Sequence, residues 1–126
     1  MNDSFDNEIL DLLVETREVY IETRRDSDSP VHRTIIWVVV VDGEVFVRSV
    51  RGENGRWYRE ISSNPEAALH ADGKRIPMRA TPATEENTVG AVSEAYRKKY
   101  GKTSPGSTAS MVRPEVLPTT LKLSPA

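Results

Sequence analysis

Thr34-Ile35-Ile36-Trp37-Val38-Val39-Val40-Val41-Asp42-Gly43-Glu44-Val45-Phe46-Val47-Arg48-Ser49-Val50 is the stretch that decides the fold. Its first eight residues, Thr34 to Val41, are almost continuously apolar and β-branched, which reads as a central strand buried on both faces. Asp42-Gly43 is a strong two-residue hairpin signal. Beyond it, Val45, Val47 and Ser49 alternate with Phe46, Arg48 and Val50. A two-residue turn opposes Val41 to Glu44 and Val40 to Val45. Continued down the ladder, that register opposes Ile36 to Ser49 and Ile35 to Val50. Arg33 and Thr34 are therefore expected close to Arg51 and Gly52.

Upstream, Phe5, Ile9, Leu12 and Leu13 recur at helical spacing, with Ser4 as a cap, so a helix is expected over about 5–15 within an N-terminal helical segment 1–16. Arg17 to Arg24 alternates, with Val19, Ile21 and Thr23 on one face of a half-buried strand. Asp26 to Pro30 is a polar loop. Downstream, Arg51 to Gly55 is a glycine loop, and a short helix starts near Arg56 and is closed by Pro65. Glu66 to Ala71 and Lys74 to Thr81 read as strands around a second turn, Asp72-Gly73. Pro77 puts the latter strand at an edge or on a bulge. Thr84 caps a helix with Val89, Val92, Ala95, Tyr96 and Tyr100 as its apolar stripe and Gly101 as its stop. Residues 102–110 read as a flexible Ser/Thr-rich loop, and Leu121 and Leu123 mark a final strand. About six strands and about three helices, dominated by hairpins, give a mainly β fold: a small antiparallel barrel with peripheral helices in a single domain, 1–126.

At 126 residues the chain is long enough for one real core. A net charge of -2 disfavours a generic basic nucleic-acid binder. With no cysteine there is no disulfide, thiolate nucleophile or iron–sulfur site. The longest apolar run, Ile35 to Val41, is too short to span a bilayer, and the acidic N-terminus is no secretory signal. A soluble cytoplasmic protein, without a membrane or nucleic-acid partner, is expected.

Chemistry concentrates in Arg48-Ser49-Val50-Arg51-Gly52-Glu53-Asn54-Gly55-Arg56-Trp57-Tyr58-Arg59, which runs from a strand end through a glycine loop into a helix start. Free N–H groups, the helix dipole and guanidiniums suit an anion there; the plain alternative is solvated arginines around turn-forming glycines. Tyr58, Tyr96 and Tyr100 either line a pocket or pack in the core, and helical spacing favours the core for the last two. Gly101-Lys102-Thr103 is no phosphate loop, because it ends a helix and lacks the earlier glycine. His32 and His70 lack metal-ligand spacing, and no nucleophile elbow is present.

Residues 17–123 resemble the split-barrel flavin- and deazaflavin-binding superfamily, and within it the bacterial domain family of unknown function numbered 2255. The string HRTIIWVVVVDGEVFVRSVRGENGRWYREISSNPEAALHADGKRIPMRATPATEE, followed by AYRKKYGKT, carries the likeness. It is also similar to the deazaflavin (F420)-dependent nitroreductase family, through Arg33-Thr34, the Asp-Gly hairpin, Ser49, the glycine loop and Trp57-Tyr58 before Asn64-Pro65. The resemblance implies a six-stranded split barrel of FMN-binding type and a cofactor-binding protein, an oxidoreductase moving hydride to a small molecule. A non-enzymatic binding module on the same barrel is the alternative. It further implies that Arg33, Thr34, Ser49, Arg51, Gly52, Arg56 and Trp57 hold the cofactor, that Tyr58, Tyr96 and Tyr100 stand on the substrate face, that no metal takes part, and that the protein is a homodimer. Where the nitroreductase family has a basic glycine turn, this chain has Asp26-Ser27-Asp28-Ser29-Pro30, and its loop from Ser49 to Trp57 is shorter. Both departures favour FMN over F420.

Overall fold

In the computed structural model, which describes residues 4–126, the chain runs α1 (Asn7–Glu15), β1 (Val19–Thr23), β2 (His32–Ile36), β3 (Val38–Val41), β4 (Glu44–Val47), a 3-10 turn (Gly52–Asn54), α2 (Arg56–Ser63), β5 (Glu66–Ala71), β6 (Lys74–Pro82), α3 (Glu86–Tyr100), α4 (Pro105–Met111), a second 3-10 turn (Leu117–Thr119) and β7 (Leu121–Pro125). The seven strands form one antiparallel sheet in the order β2-β1-β5-β6-β7-β4-β3. Its two outermost strands, β2 and β3, are consecutive in the chain, so the sheet curls until its ends meet. Residues 1–3 of the expected N-terminal segment lie outside the described residues.

The Asp42-Gly43 hairpin pairs Val41 with Glu44 and Val40 with Val45, down to Val38 with Val47. Asp42 and Gly43 take φ of 50° and 79°, and Asp72 and Gly73 repeat the turn at 50° and 76°. Positive φ at both central residues matches the right-handed twist of the strands, which is why Asp-Gly is selected at both sites.

The apolar run does not remain one strand. It breaks at Trp37, and β2 pairs with β1 instead of continuing along β4, so there are seven strands and not six. The break leaves backbone groups without ladder partners, and two tyrosines of α3 satisfy them. The Tyr96 hydroxyl donates to the Trp37 carbonyl at 3.3 Å. The Tyr100 hydroxyl accepts from the Val38 N–H at 3.3 Å and donates to the Arg17 carbonyl at 2.5 Å. Trp37 also stacks on Tyr100, with ring centroids 3.9 Å apart. Burial on both faces holds for Val38 and Val39 but not for the β2 half, where Ile35 is 53% exposed.

Two cores flank the β3–β4 hairpin. Val38, Val45 and Val47 join the larger one with Ile21, Leu69, Met78, Trp57 and Ile61. Val39 and Phe46 face the smaller one, built with Val92, Tyr96, Tyr100 and Met111. β1 buries Val19, Ile21 and Thr23 as its alternation requires.

Three further expectations are corrected. Residues 105–111 of the expected flexible loop form α4, with Pro105 at its first position, where a missing N–H costs nothing. β6 is internal, between β5 and β7. Pro77 is tolerated there because β7 runs out beside it: the Pro77 carbonyl accepts from Ala126 N–H, so its missing donor faces the end of that strand. Asp6, not Ser4, caps α1, accepting from Ile9 N–H at 3.0 Å, and Glu85, not Thr84, precedes α3.

Candidate functional site

The turn after β4 is held from inside. Ser49 is fully buried; its N–H donates to Thr119 Oγ1 at 3.0 Å and its Oγ donates to the Gly52 carbonyl at 2.8 Å. The Gly52 N–H donates back to the Ser49 carbonyl at 2.9 Å. Gly52 sits at φ +70°, which a side chain resists. A Cβ on Gly55 would lie 2.5 Å from Ser49 Oγ, so glycine is what lets the loop close against the strand end. Gly55 precedes α2, and no side chain caps that helix. Its first N–H groups therefore keep their capacity for an anion.

This loop borders a cavity of about 580 Å³, within the range of small-molecule sites. Thr34, Ile35 and Ile36 from β2, Trp37 at the bend, the segment 48–51, Gly55 to Trp57 and, from α4, Ser107 and Met111 line it. Trp37 and Trp57 are its aromatic lining; Trp57 is otherwise buried in the larger core, and Trp37 lies with one face on Tyr100. Arg51 is exposed at the rim and makes no hydrogen bond or ion pair among the described residues. Among the described residues the Arg56 side chain reaches only Thr34 Oγ1, at 3.5 Å. Glu18, just before β1, is the one carboxylate in the lining and lies at the Trp37 end. Thr34 is three residues from Trp37 along the strand, so the arginine end and the carboxylate end are on the order of 10 Å apart.

Arg48 also lines the cavity and is 1% exposed. It donates to Thr120 Oγ1 (2.9 Å), Ser93 Oγ (2.8 Å), the Met111 carbonyl (3.1 Å) and the Val89 carbonyl (2.9 Å), and its guanidinium lies 5.6 Å from the Tyr96 ring centroid. None of these partners is a carboxylate. Burial pulls its pKa below the usual arginine value, yet at neutral pH the group stays charged. Met111 ends α4, so the guanidinium meets the negative end of that helix.

Of the residues the sequence singled out, Thr34, Ser49, Arg51, Arg56 and Trp57 line this one cavity. Thr34 arrives there through the bend at Trp37 and not through the extended hairpin register. Arg33 is exposed beside Glu22 of β1 and is not in the lining. Gly52 sits behind the loop, against the Glu115 carbonyl. Tyr96 and Tyr100 are fully buried in the smaller core with their hydroxyls on backbone carbonyls, and Tyr58 packs beside Trp57; none of the three lines the cavity. The structure thus does not bring the three tyrosines to the wall of this cavity. Reasoning from sequence placed Arg48 in the basic cluster but not as a buried part of the wall, and it missed Trp37 and the wall from α4. The available signal was a charged residue at an inward position of an otherwise apolar strand. His32 and His70 bind carboxylates, Glu60 at 2.9 Å and Glu22 at 2.7 Å, away from the cavity.

A family model described as an uncharacterized protein conserved in bacteria, DUF2255, matches residues 9–123. The chain belongs to the DUF2255 family. No curated protein sequence matches it. Several solved structures share the DUF2255 fold seen here. The heme storage protein HutZ from Vibrio cholerae is 13% identical, with 98% of this chain and 91% of that one covered at a TM-score of 0.66. A putative pyridoxamine 5'-phosphate oxidase from Listeria innocua is 15% identical over 95% and 90%, at 0.61. An F420-H2 dependent reductase, FDR-A, is 14% identical over 85% and 92%, at 0.60. At these identities the likeness is one of fold: a curled, mainly β antiparallel sheet of split-barrel type with peripheral helices. Among the described residues no helix is long and apolar enough to cross a membrane.

Proposed function

We propose that this DUF2255 protein binds a flavin-type cofactor, FMN or the deazaflavin F420, and serves hydride transfer to a small molecule. One observation carries the reading: an uncapped helix start, a glycine loop and two arginines without carboxylate partners among the described residues converge on one end of a cavity whose lining includes Trp37 and Trp57. That donor set fits a phosphate, and the aromatic lining fits a fused ring. The fold neighbours named for F420-H2 and pyridoxamine 5'-phosphate chemistry support the same direction.

In this reading Arg51, Arg56 and the first N–H groups of α2 bind the phosphate, with Thr34 holding Arg56 in place. Trp57 and Trp37 orient the ring and exclude water from its face. The bound cofactor supplies the hydride chemistry. Tyr96 and Tyr100 act at a distance, by holding the bend that shapes the cavity. Tyr20 and Ile35 are cross-strand neighbours, 47% and 53% exposed, and Ile35 also lines the cavity. A homodimer closing over this face is part of the proposal, as is a cytoplasmic setting.

The test is a titration of the cofactor-free protein with FMN and with F420, read by tryptophan fluorescence and ring absorbance. Saturable binding of either supports the reading, and Arg51→Ala with Arg56→Ala weakens it roughly tenfold to a hundredfold. Absence of binding by both ends it. A second reading, a non-enzymatic binding module, is favoured by the lining itself, where Glu18 is the one carboxylate and no histidine stands. Cofactor binding without turnover by reduced nicotinamides distinguishes it. Sedimentation over a wide concentration range tests the dimer.

A further inference from the structure

A second, smaller cavity of about 300 Å³ lies beyond Arg56, lined by Arg25, Arg56, Arg59, Glu60 and Ser63. Arg56 lines both cavities. Residues 56, 59, 60 and 63 follow one face of α2 at helical spacing, so the two cavities are consecutive stations along that helix. Arg59 is exposed, and its side chain makes no hydrogen bond or ion pair among the described residues. Arg25 uses only its Nε, on Asp26 at 3.2 Å, which leaves both terminal nitrogens without a partner among the described residues.

Of the two carboxylates nearby, Glu60 is directed elsewhere and Asp26 meets these arginines only through Arg25 Nε among the described residues. Glu60 accepts from Thr23 Oγ1 at 2.8 Å and pairs with His32 Nδ1 at 2.9 Å. Asp26 accepts from Ser29 Oγ at 2.8 Å and from the Asp28 N–H at 3.0 Å, bonds that hold its carboxyl below the usual range. The acidic loop thus ties up Asp26 internally and against Arg25 Nε, and the two terminal nitrogens of Arg25 keep their donors.

Resting on the flavin-type reading, we infer that the cofactor carries a second anionic group, phosphate or carboxylate, which Arg59 and Arg25 bind in the smaller cavity. At 1.5 Å rise per residue, Arg59 stands about 4.5 Å and Ser63 about 10 Å along α2 from Arg56. The second anion therefore sits roughly 5–10 Å from the first, farther than two phosphates joined through one oxygen.

The experiment compares wild type with an Arg25→Ala/Arg59→Ala double variant, titrated with FMN (one phosphate), FAD (two adjacent phosphates) and F420 (a phosphate and spaced carboxylates). Both residues are exposed, so the variant retains the fold, and circular dichroism verifies it. The expected result is that wild type binds F420 at least roughly tenfold more tightly than FMN, and that the double variant loses this advantage while its FMN affinity stays within about twofold. A preference for FAD over F420 overturns the second subsite, because the two FAD phosphates share one oxygen and lie closer than the spacing along α2. If the variant binds all three ligands as wild type does, or loses FMN as much as the longer ligands, the second subsite is wrong and the flavin-type reading stands. If wild type binds none of them, both fall.

Discussion

Replacing Arg48 by Met removes a buried charge and keeps most of its volume. Arg48 donates to four oxygens, none of them charged. Hydrogen bonds from a charged donor are each worth about 1.5–3 kcal/mol, a gross loss on the order of 6–12 kcal/mol. Two terms oppose it. A guanidinium without a counter-charge carries a desolvation cost of several kcal/mol, which the substitution relieves. Thr120 also keeps a bond of its own, to the Leu117 carbonyl at 2.7 Å. The Met111 carbonyl, at the end of α4, is the acceptor left with least. The net expectation is a loss of about 2–4 kcal/mol, against a total of roughly 6–19 kcal/mol for a chain of this length. At about 4 °C per kcal/mol, Tm falls by roughly 8–16 °C. Urea and thermal unfolding followed by circular dichroism measure it. Arg48→Lys keeps the charge but not the fork, and it too is expected to unfold earlier than wild type. A variant Arg48→Met within about 0.5 kcal/mol of wild type, or more stable, would refute the reasoning, since burial would then cost as much as the bonds return.

Gly55→Ala drives a Cβ to 2.5 Å from Ser49 Oγ, at an expected cost of about 1–3 kcal/mol. Adding Ser49→Ala removes the clash, so the pair shows favourable coupling in a double-mutant cycle, and strictly additive losses contradict the geometry. Glu22 has its pKa lowered from 4.5 to about 2, chiefly by Arg75, with His70 assisting. The stability it contributes is present above about pH 4.5 and is lost as pH falls toward 2. With Arg75 half exposed, the contribution is on the order of 1–2 kcal/mol, read as the difference between wild type and Glu22→Gln in acid unfolding. Lys99 is lowered to about 8 by burial, with Arg17 assisting, and donates to the Leu13 and Val38 carbonyls at 2.8 Å. Its unfolded form binds more protons between pH 8 and 10, so wild type gains stability over that window relative to Lys99→Met, as pH-dependent urea midpoints will show.

The hairpin, the alternation of β1, the paired Asp-Gly turns and the helix start at Arg56 were legible because each is set by residues within a few positions. The bend at Trp37 was not. Nothing local interrupts Thr34 to Val41, and the break exists because Tyr96 and Tyr100, about 60 residues on, offer hydroxyls to the freed backbone. α4 was hidden for a different reason: Pro105 to Met111 has no apolar stripe, and its stability comes from capping by Arg48 and burial of Met111. For the site, Ser49, Arg51, Arg56 and Trp57 are neighbours in sequence and could be gathered by eye. Thr34 reached the same cavity by a route the hairpin register did not describe, and Arg33 did not follow it.

β2 and β3 are the two free margins of the sheet, and one residue, Trp37, joins them. A sheet whose margins are clasped in this way cannot flatten or tighten without turning that clasp. Because the same residue lines the cavity, the width of the binding space and the curvature of the whole sheet are a single degree of freedom, fixed where an indole lies flat on Tyr100.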